Sequence, residues 1–236
     1  MENKRLIFIG DVHSCLPELK ELINKVNYNP SSDRVILLGD LTDRGLFPIE
    51  TIRYVKEMKF DCVRGNHDQK ILNFFSRKIN KNKYPDYYNY LSDEDILFIK
   101  SMPLYLEFED IIAVHGGIKN YLPLDKQGMD IVNLRFMDSS HKFISLKKVS
   151  TLGIKATGAK FWTEFGPFSK NVVYGHHVHS YDNPRIDTFE NGNSCYGIDC
   201  GICFGGHITA LIWPTKEIVQ VKGKEIYCER TMTVKD

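Results

Sequence analysis

Apolar and polar positions alternate in blocks along the first third of this chain. The run "RLIFIGD" (residues 5–11) is continuous and apolar, as in a strand covered on both faces. Leu16, Leu19, Leu22, Ile23 and Val26 then recur at helical spacing. "RVILLGD" (34–40) repeats the strand, and a helix is predicted from about 47 to 58, with Pro48 in its first turn where no N–H is needed. "DCVRGNHD" (61–68) opens a third unit, with a helix predicted from about 68 to 77. Such alternation predicts parallel strands joined by crossovers.

The pattern then changes. Residues 79–101, "INKNKYPDYYNYLSDEDILFIKS", are polar and tyrosine-rich and predict a small helical insertion or cap. "LYLEFEDIIAVHGG" (104–117) reads as two strands around a turn at Glu109-Asp110. Residues 119–170 show neither period. After them "NVVYGHH", "SCYGIDCG", "HITALIWP" and "EIVQVKG" read as short strands. The fold class is therefore α/β, β-rich in its second half and without repeats.

Composition narrows this picture only slightly. A chain of 236 residues suits a single domain, and 42% hydrophobic with 26% charged residues is ordinary for a soluble globular protein. A net charge of +1 gives no strong field toward nucleic acid or an anionic membrane. The apolar run Leu6–Ile9 is too short for a signal peptide, and no later run reaches the ~20 residues of a membrane span. A cytoplasmic location is the expectation. Six cysteines without a secretion signal predict thiols. Cys200 and Cys203 form a C-x-x-C, but no second pair accompanies it as a zinc site would need.

The candidate chemistry sits on the strand tails. The first ends in Asp11 and His13, the second in Asp40, Asp43 and Arg44, the third in Arg64, Asn66, His67 and Asp68. In a parallel sheet all three emerge at the carboxyl edge, where α/β proteins place ligands. His115 and the pair His176-His177 arrive on later strands. Carboxylate, imidazole and carboxamide donors around a shared carboxylate are what two adjacent divalent ions require, and they suit Mn²⁺, Fe or Zn²⁺.

The order GD-x-H, GD-x-x-DRG, RGNH-[DE], HGG and GH resembles the calcineurin-like metallophosphoesterases. More narrowly it resembles the phosphoprotein phosphatase superfamily, which includes serine/threonine phosphatases, small bacterial and phage phosphatases and symmetrical dinucleoside tetraphosphatases. The match runs from Arg5 to about Pro214. The resemblance implies a two-sheet β-sandwich built from βαβ units and flanked by helices. It assigns Asp11, His13 and Asp40 to one metal, and Asp40, Asn66, His115 and His176 to the other. It makes His67 the catalytic acid, oriented by Asp43, with Arg44, Arg64 and Arg135 on the phosphoryl oxygens. Two cations about 3.5–4 Å apart would hold a bridging hydroxide for in-line attack.

Three departures stand out. Ser14 replaces a usual glycine, so a positive φ there would strain or shift the loop. Cys200 stands where threonine is common, and "GHHVHS" offers three histidines where one is expected.

These readings predict a metal-dependent phosphoester or phosphoanhydride hydrolase leaning toward a bis(5'-nucleosyl)-tetraphosphatase or general bacterial phosphatase. The alternative is a serine/threonine or dual-specificity protein phosphatase. Polyphosphatase, nucleic-acid phosphodiesterase and non-catalytic phosphate-binding module rank below these. The expected partner is a phosphorylated small molecule, nucleotide or phosphoprotein, with no stable nucleic-acid complex and no membrane. Tyr84, Tyr87, Tyr88 and Tyr90 could bind a base, although packing is favoured, and Phe161 and Trp162 are read as buried aromatics rather than pocket walls.

Overall fold

The computed structural model describes residues 5–76 and 84–229. The end of the third predicted helix, at Arg77, and the first residues of the predicted insertion lie outside them. In chain order the elements begin β1 (Arg5–Ile9), α1 (Leu16–Lys25), β2 (Asp33–Leu37), α2 (Pro48–Glu57), β3 (Asp61–Cys62), α3 (Asn66–Ser76) and α4 (Asp93–Ser101). β4 (Tyr105–Glu107), β5 (Ile111–Val114), β6 (Phe136–Met137), β7 (Phe143–Ile144), α5 (Leu146–Leu152), α6 (Ile154–Thr157) and β8 (Lys160–Phe161) follow. The chain closes through β9 (Asn171–Tyr174), β10 (Arg185–Thr188), β11 (Ser194–Gly197), β12 (His207–Trp213) and β13 (Glu217–Lys222).

The continuous apolar runs do become central strands. β1, β2 and β3 are parallel, and β12 and β13 extend them antiparallel in the order β13-β12-β1-β2-β3. A second sheet has the order β10-β11-β9-β5-β4, with β11, β9 and β5 parallel. The predicted turn at Glu109-Asp110 joins β4 to β5 as an antiparallel hairpin. Phe8, Ile36, Leu38 and Val63 of the first sheet bury against Ile111, Ala113, Val173 and Tyr196 of the second. Desolvation of that apolar layer holds the sandwich together.

Helices cover the outer face of the first sheet. Leu19, Leu22 and Ile23 of α1, Ile52 and Val55 of α2, and Ile71 and Phe74 of α3 join Ile7, Ile9 and Leu37 in one core. The outer face of the second sheet is covered by Trp162, Phe168 and a three-stranded sheet in the order β7-β6-β8. α2 spans Pro48–Glu57 with Phe47 and Met58 as its caps, within a residue of its predicted range. α3 starts two residues earlier than predicted, which places Asn66 and His67 in its first turn.

Candidate functional site

The strand tails of both sheets converge, and their backbone is unusual. His13 (φ 46°), Ser14 (60°), Asp40 (48°), Asp43 (66°), Arg44 (72°) and His176 (68°) all occupy the left-handed region. L-residues adopt that region at a cost, and such strain clusters where surrounding bonds over-determine it. Here they do. The amides of His13 and Ser14 donate to the carbonyls of Asp40 and Leu41 (both 2.9 Å), and Gly45 N–H donates back to His13 (3.0 Å). Ser14 thus adopts the positive φ usually left to glycine, held there by its amide bond to Leu41.

Asp68 ties the second tail to the third. Its carboxylate accepts the amides of Asp40 (2.9 Å), Leu41 (3.2 Å) and Gly65 (2.8 Å). A Cβ at Gly65 would lie 2.1 Å from Asp40 Oδ1, and one at Gly175 would lie 2.2 Å from Asp11 Oδ1. The two glycines let the carboxylates press against backbone. Asp40 Oδ1 then accepts the His67 amide at 2.8 Å, in the first turn of α3, and Asp11 Oδ1 accepts the His176 amide at 2.9 Å.

The imidazoles are oriented by backbone carbonyls. Nδ1–H of His13 donates to Thr42 (3.0 Å) and that of His115 to Leu38 (2.6 Å). A carbonyl only accepts, so Nδ1 holds the proton and Nε2 turns a lone pair inward. His115 Nε2 meets Asp40 Oδ1 at 3.4 Å, Asn66 Oδ1 at 3.1 Å and His176 Nδ1 at 3.0 Å. His13 Nε2 stands 3.7 Å from both Asp11 Oδ2 and Asp40 Oδ2. Burial holds His13, His115 and His176 well below or below their ordinary pKa, so they remain neutral donors.

Such a set fits a cation. Burial pushes Asp11 well above the usual carboxylate range, and the neighbouring charges of Asp199 and Asp40 add to it. Burial would raise Asp40 too, but the surrounding imidazoles of His115, His67 and His13 and the His67 amide hydrogen bond outweigh it and hold Asp40 low. His176 Nε2 is buried without a hydrogen-bond partner. Among the described residues, two groups bring metal-ligating atoms within 4.8 Å of one another: His13, Asp40 and His67, and Asp40, His115 and His176. Asp40 belongs to both. Convergent lone pairs and crowded carboxylates are relieved by divalent ions.

His67 lies against the shared carboxylate. Its Nδ1 donates to Asp43 Oδ2 at 2.6 Å, and its Nε2 is 3.9 Å from Asp40 Oδ2 and accepts from Arg44 Nη2 at 3.3 Å. Arg44 Nη1 donates to His13 Nε2 at 2.6 Å, and its guanidinium lies over the Phe204 ring, 5.1 Å from the centroid.

The arginines divide. Arg135 Nη2 donates to the His176 carbonyl (2.9 Å) and Nε to His177 Nδ1 (3.2 Å), so the doubled histidine gains a role in holding it. Burial pushes Arg135 down to about 10 despite the carboxylates of Asp40, Asp11 and Asp199. Arg64 is not brought to the same place. Its guanidinium donates to the carbonyls of Lys100 (2.6 Å) and Met102 (2.9 Å) and to Gln69 Oε1 (3.2 Å), at the end of α4. The phosphate contact expected of Arg64 finds no support in that arrangement.

A cleft of about 660 Å³ opens over these groups. Arg44, Asn66, His67, Arg135 and His176 line it together with Asn133, Phe143, Leu146, Phe204 and Cys228. No described residue of 84–101 lines it. Phe161 and Trp162 are buried, and the hydroxyls of Tyr87 and Tyr88 turn to Asp43: Tyr87 Oη donates to Oδ1 at 2.6 Å and Tyr88 Oη to the same carboxylate at 3.4 Å. Asp199 went unread in the sequence, although "GIDCG" ends a strand in aspartate just as the first two tails do. Its C-x-x-C neighbours part company: Cys200 Sγ accepts from Gln220, and Cys203 Sγ accepts from Arg44 at 3.8 Å.

Comparison with known proteins agrees with this arrangement. The calcineurin-like phosphoesterase family is matched over residues 4–210, and this chain belongs to it. The chain is accordingly a metallophosphoesterase, a hydrolase of a metal-dependent family. A symmetrical bis(5'-nucleosyl)-tetraphosphatase of Klebsiella pneumoniae is 38% identical over 265 residues, covering 89% of this chain and 91% of its own. An asymmetrical bis(5'-nucleosyl)-tetraphosphatase of Oceanobacillus iheyensis is 27% identical over 260 residues, covering 97% and 96%. The crystal structure of a candidate diadenosine tetraphosphatase superposes with a TM-score of 0.79 at 21% identity, covering 94% and 95%. No helix among the described residues is long and apolar enough to cross a membrane.

Proposed function

We propose that this chain hydrolyses the phosphoanhydride bonds of dinucleoside tetraphosphates, using two divalent ions, Mn²⁺ foremost with Fe or Zn²⁺ as substitutes. The observation that carries this reading is Asp40, shared by two donor groups and placed beside the Asp43–His67 pair. Asp11, His13 and Asp40 would hold one ion, and Asp40, Asn66, His115 and His176 the other. Bound there, the ions would supply Lewis acidity toward the phosphoryl oxygens and activate water for attack.

The chain's own groups do the rest. Arg44 and Arg135 bind phosphoryl oxygens, since the guanidinium fork matches two oxygens at once. Arg44 now donates to His13 Nε2 and Arg135 to the His176 carbonyl, so both stand at the rim of the donor cluster. His67, as imidazolium, gives its Nε2 proton to the leaving oxygen, while Asp43 fixes the ring and stabilises its charge. The cleft volume lies within the usual range for small-ligand sites, roughly 300–1,000 Å³. That size and the named activity of full-length relatives favour a nucleotide over a protein.

The test is product analysis. The Mn²⁺-loaded protein is incubated with diadenosine tetraphosphate and, in parallel, with phosphopeptides. ADP alone marks symmetrical cleavage, and ATP with AMP marks asymmetrical cleavage; either supports the reading. Phosphate released from peptides with the dinucleotide intact overturns it in favour of a protein phosphatase.

A further inference from the structure

We infer that Tyr87, reaching in from behind the cleft, is a positioning residue that locks the Asp43 carboxylate in the orientation His67 requires. The inference rests on the reading of His67 as proton donor and adds to it a group from outside the strand tails.

The geometry around Asp43 is that of one anion with competing donors. Oδ2 faces His67 Nδ1 at 2.6 Å, but Lys70 Nζ lies 3.0 Å from the same oxygen. Lys70 follows His67 by one turn of α3 and carries a full charge, so alone it would draw the carboxylate off the imidazole. Tyr87 Oη grips the other oxygen, Oδ1, at 2.6 Å, and thereby sets the plane of the carboxylate. Tyr88 Oη stands 3.4 Å from both oxygens.

Tyr87 can do this because it is itself held. It lies on a short 3₁₀ turn, Asp86–Tyr90, and its ring meets the ring of fully buried Tyr88 edge-on at 4.8 Å. Tyr88 in turn packs on Phe74 of α3 at 5.2 Å, so the turn is anchored to the helix that carries His67. Burial pushes the Tyr87 phenol far above its ordinary pKa, and the charge of Asp43 pushes it further. The hydroxyl stays protonated and can only donate to the anion. Burial alone would raise Asp43, but the His67 hydrogen bond and charge, the Tyr87 hydroxyl and Lys70 together hold it low.

A merely structural tyrosine and a positioning one make different predictions. If Tyr87 acts through His67, its loss matters only where the leaving group needs a proton. Phenyl phosphate, whose phenol has a pKa of about 10, needs one, and dinitrophenyl phosphate does not. Tyr87→Phe, His67→Asn and the double variant are assayed as metal-loaded full chains on both substrates, with bound metal counted per chain. Tyr87→Phe is expected to lower kcat on phenyl phosphate about tenfold, the scale of one hydrogen bond to a charged group. KM, metal content and kcat on dinitrophenyl phosphate should stay within about twofold, and in the His67→Asn background the substitution should cost no more than about twofold.

Equal losses on both substrates, or full additivity in the double variant, would reduce Tyr87 to a fold-supporting residue and overturn the inference. The His67→Asn single variant separates the two readings. If it treats both substrates alike, His67 is not the proton donor and the inference falls with that reading. If it discriminates between them while Tyr87→Phe does not, the inference alone fails.

Discussion

At the scale of single residues, the most telling contrast is between Arg64 and Arg135. The family resemblance implies a phosphate contact for both, and only Arg135 lines the cleft. Arg64 spends its donors on carbonyls of Lys100 and Met102 that would otherwise be left open at the end of α4. Arg64→Met should therefore leave kcat/KM within about threefold while lowering stability in urea by ~1–2 kcal/mol, the worth of one or two such bonds. Arg135→Met should do the reverse, lowering kcat/KM by about 10- to 100-fold with metal content retained. If Arg64→Met proves the more damaging to catalysis, the cleft as described is not where phosphate binds. The strand-tail residues were legible because each lies in a local run whose spacing carries its meaning. The carbonyls that Arg64 serves, of Lys100 and Met102, stand more than thirty residues away, and no local pattern encodes that.

At the scale of elements, legibility followed length. α1 and α2 have enough turns to express a 3.6-residue period and were read within a residue or two. Residues 119–170 hold two-residue strands, 3₁₀ turns and helices of seven and four residues, too short to express either period. Yet that stretch supplies Asn133, Arg135, Phe143 and Leu146 to the cleft. What holds the first strands in register also has a chemical signature. Arg5 and Asp33 face each other across β1 and β2, and the Asp33 carboxylate takes Arg5 Nη2 (2.6 Å), Arg5 Nε (3.0 Å) and the Asn29 amide (2.8 Å). Burial would raise this carboxyl, but the hydrogen bond to Arg5, the Asn29 amide and the Arg5 charge leave it below its ordinary 3.8. A carboxyl depressed on folding stabilises fully above its unfolded pKa, and that stabilisation is lost as pH falls through the folded value. Asp33→Asn should cost about 1–3 kcal/mol at neutral pH, and the gap to wild type should close below pH ~4. Paired urea titrations across that range check it. A gap that stays constant into acid would show that the charge is not what matters.

At the scale of the molecule, the site is a product of two sheets that pack face to face and whose strand tails converge. The first sheet brings Asp11, His13 and Asp40, the second brings His115, His176 and Asp199, and the net charge of +1 says nothing of the cationic strip that Arg44 and Arg135 form between them. A near-zero net charge gives no strong field toward a polyanion and is silent about a local pair of arginines. The walls of the cleft differ in origin as well. Phe204 comes from the loop after β11, and Phe143 comes from the small outer sheet. Phe143 is 44% exposed, so it contributes little to the core and is available to a bound base. Stacking of a base on an aromatic ring is worth about 1–3 kcal/mol, and a half-exposed ring should deliver the lower part of that range. Phe143→Ala is therefore expected to raise KM for diadenosine tetraphosphate about five- to tenfold, since the contact lies away from the reacting phosphorus and is lost equally from ground and transition states. On dinitrophenyl phosphate, which carries no nucleoside to stack, both kcat and KM should stay within about twofold of wild type. A substitution that slowed both substrates alike would mean that the outer sheet supports the site from a distance and does not touch the nucleoside.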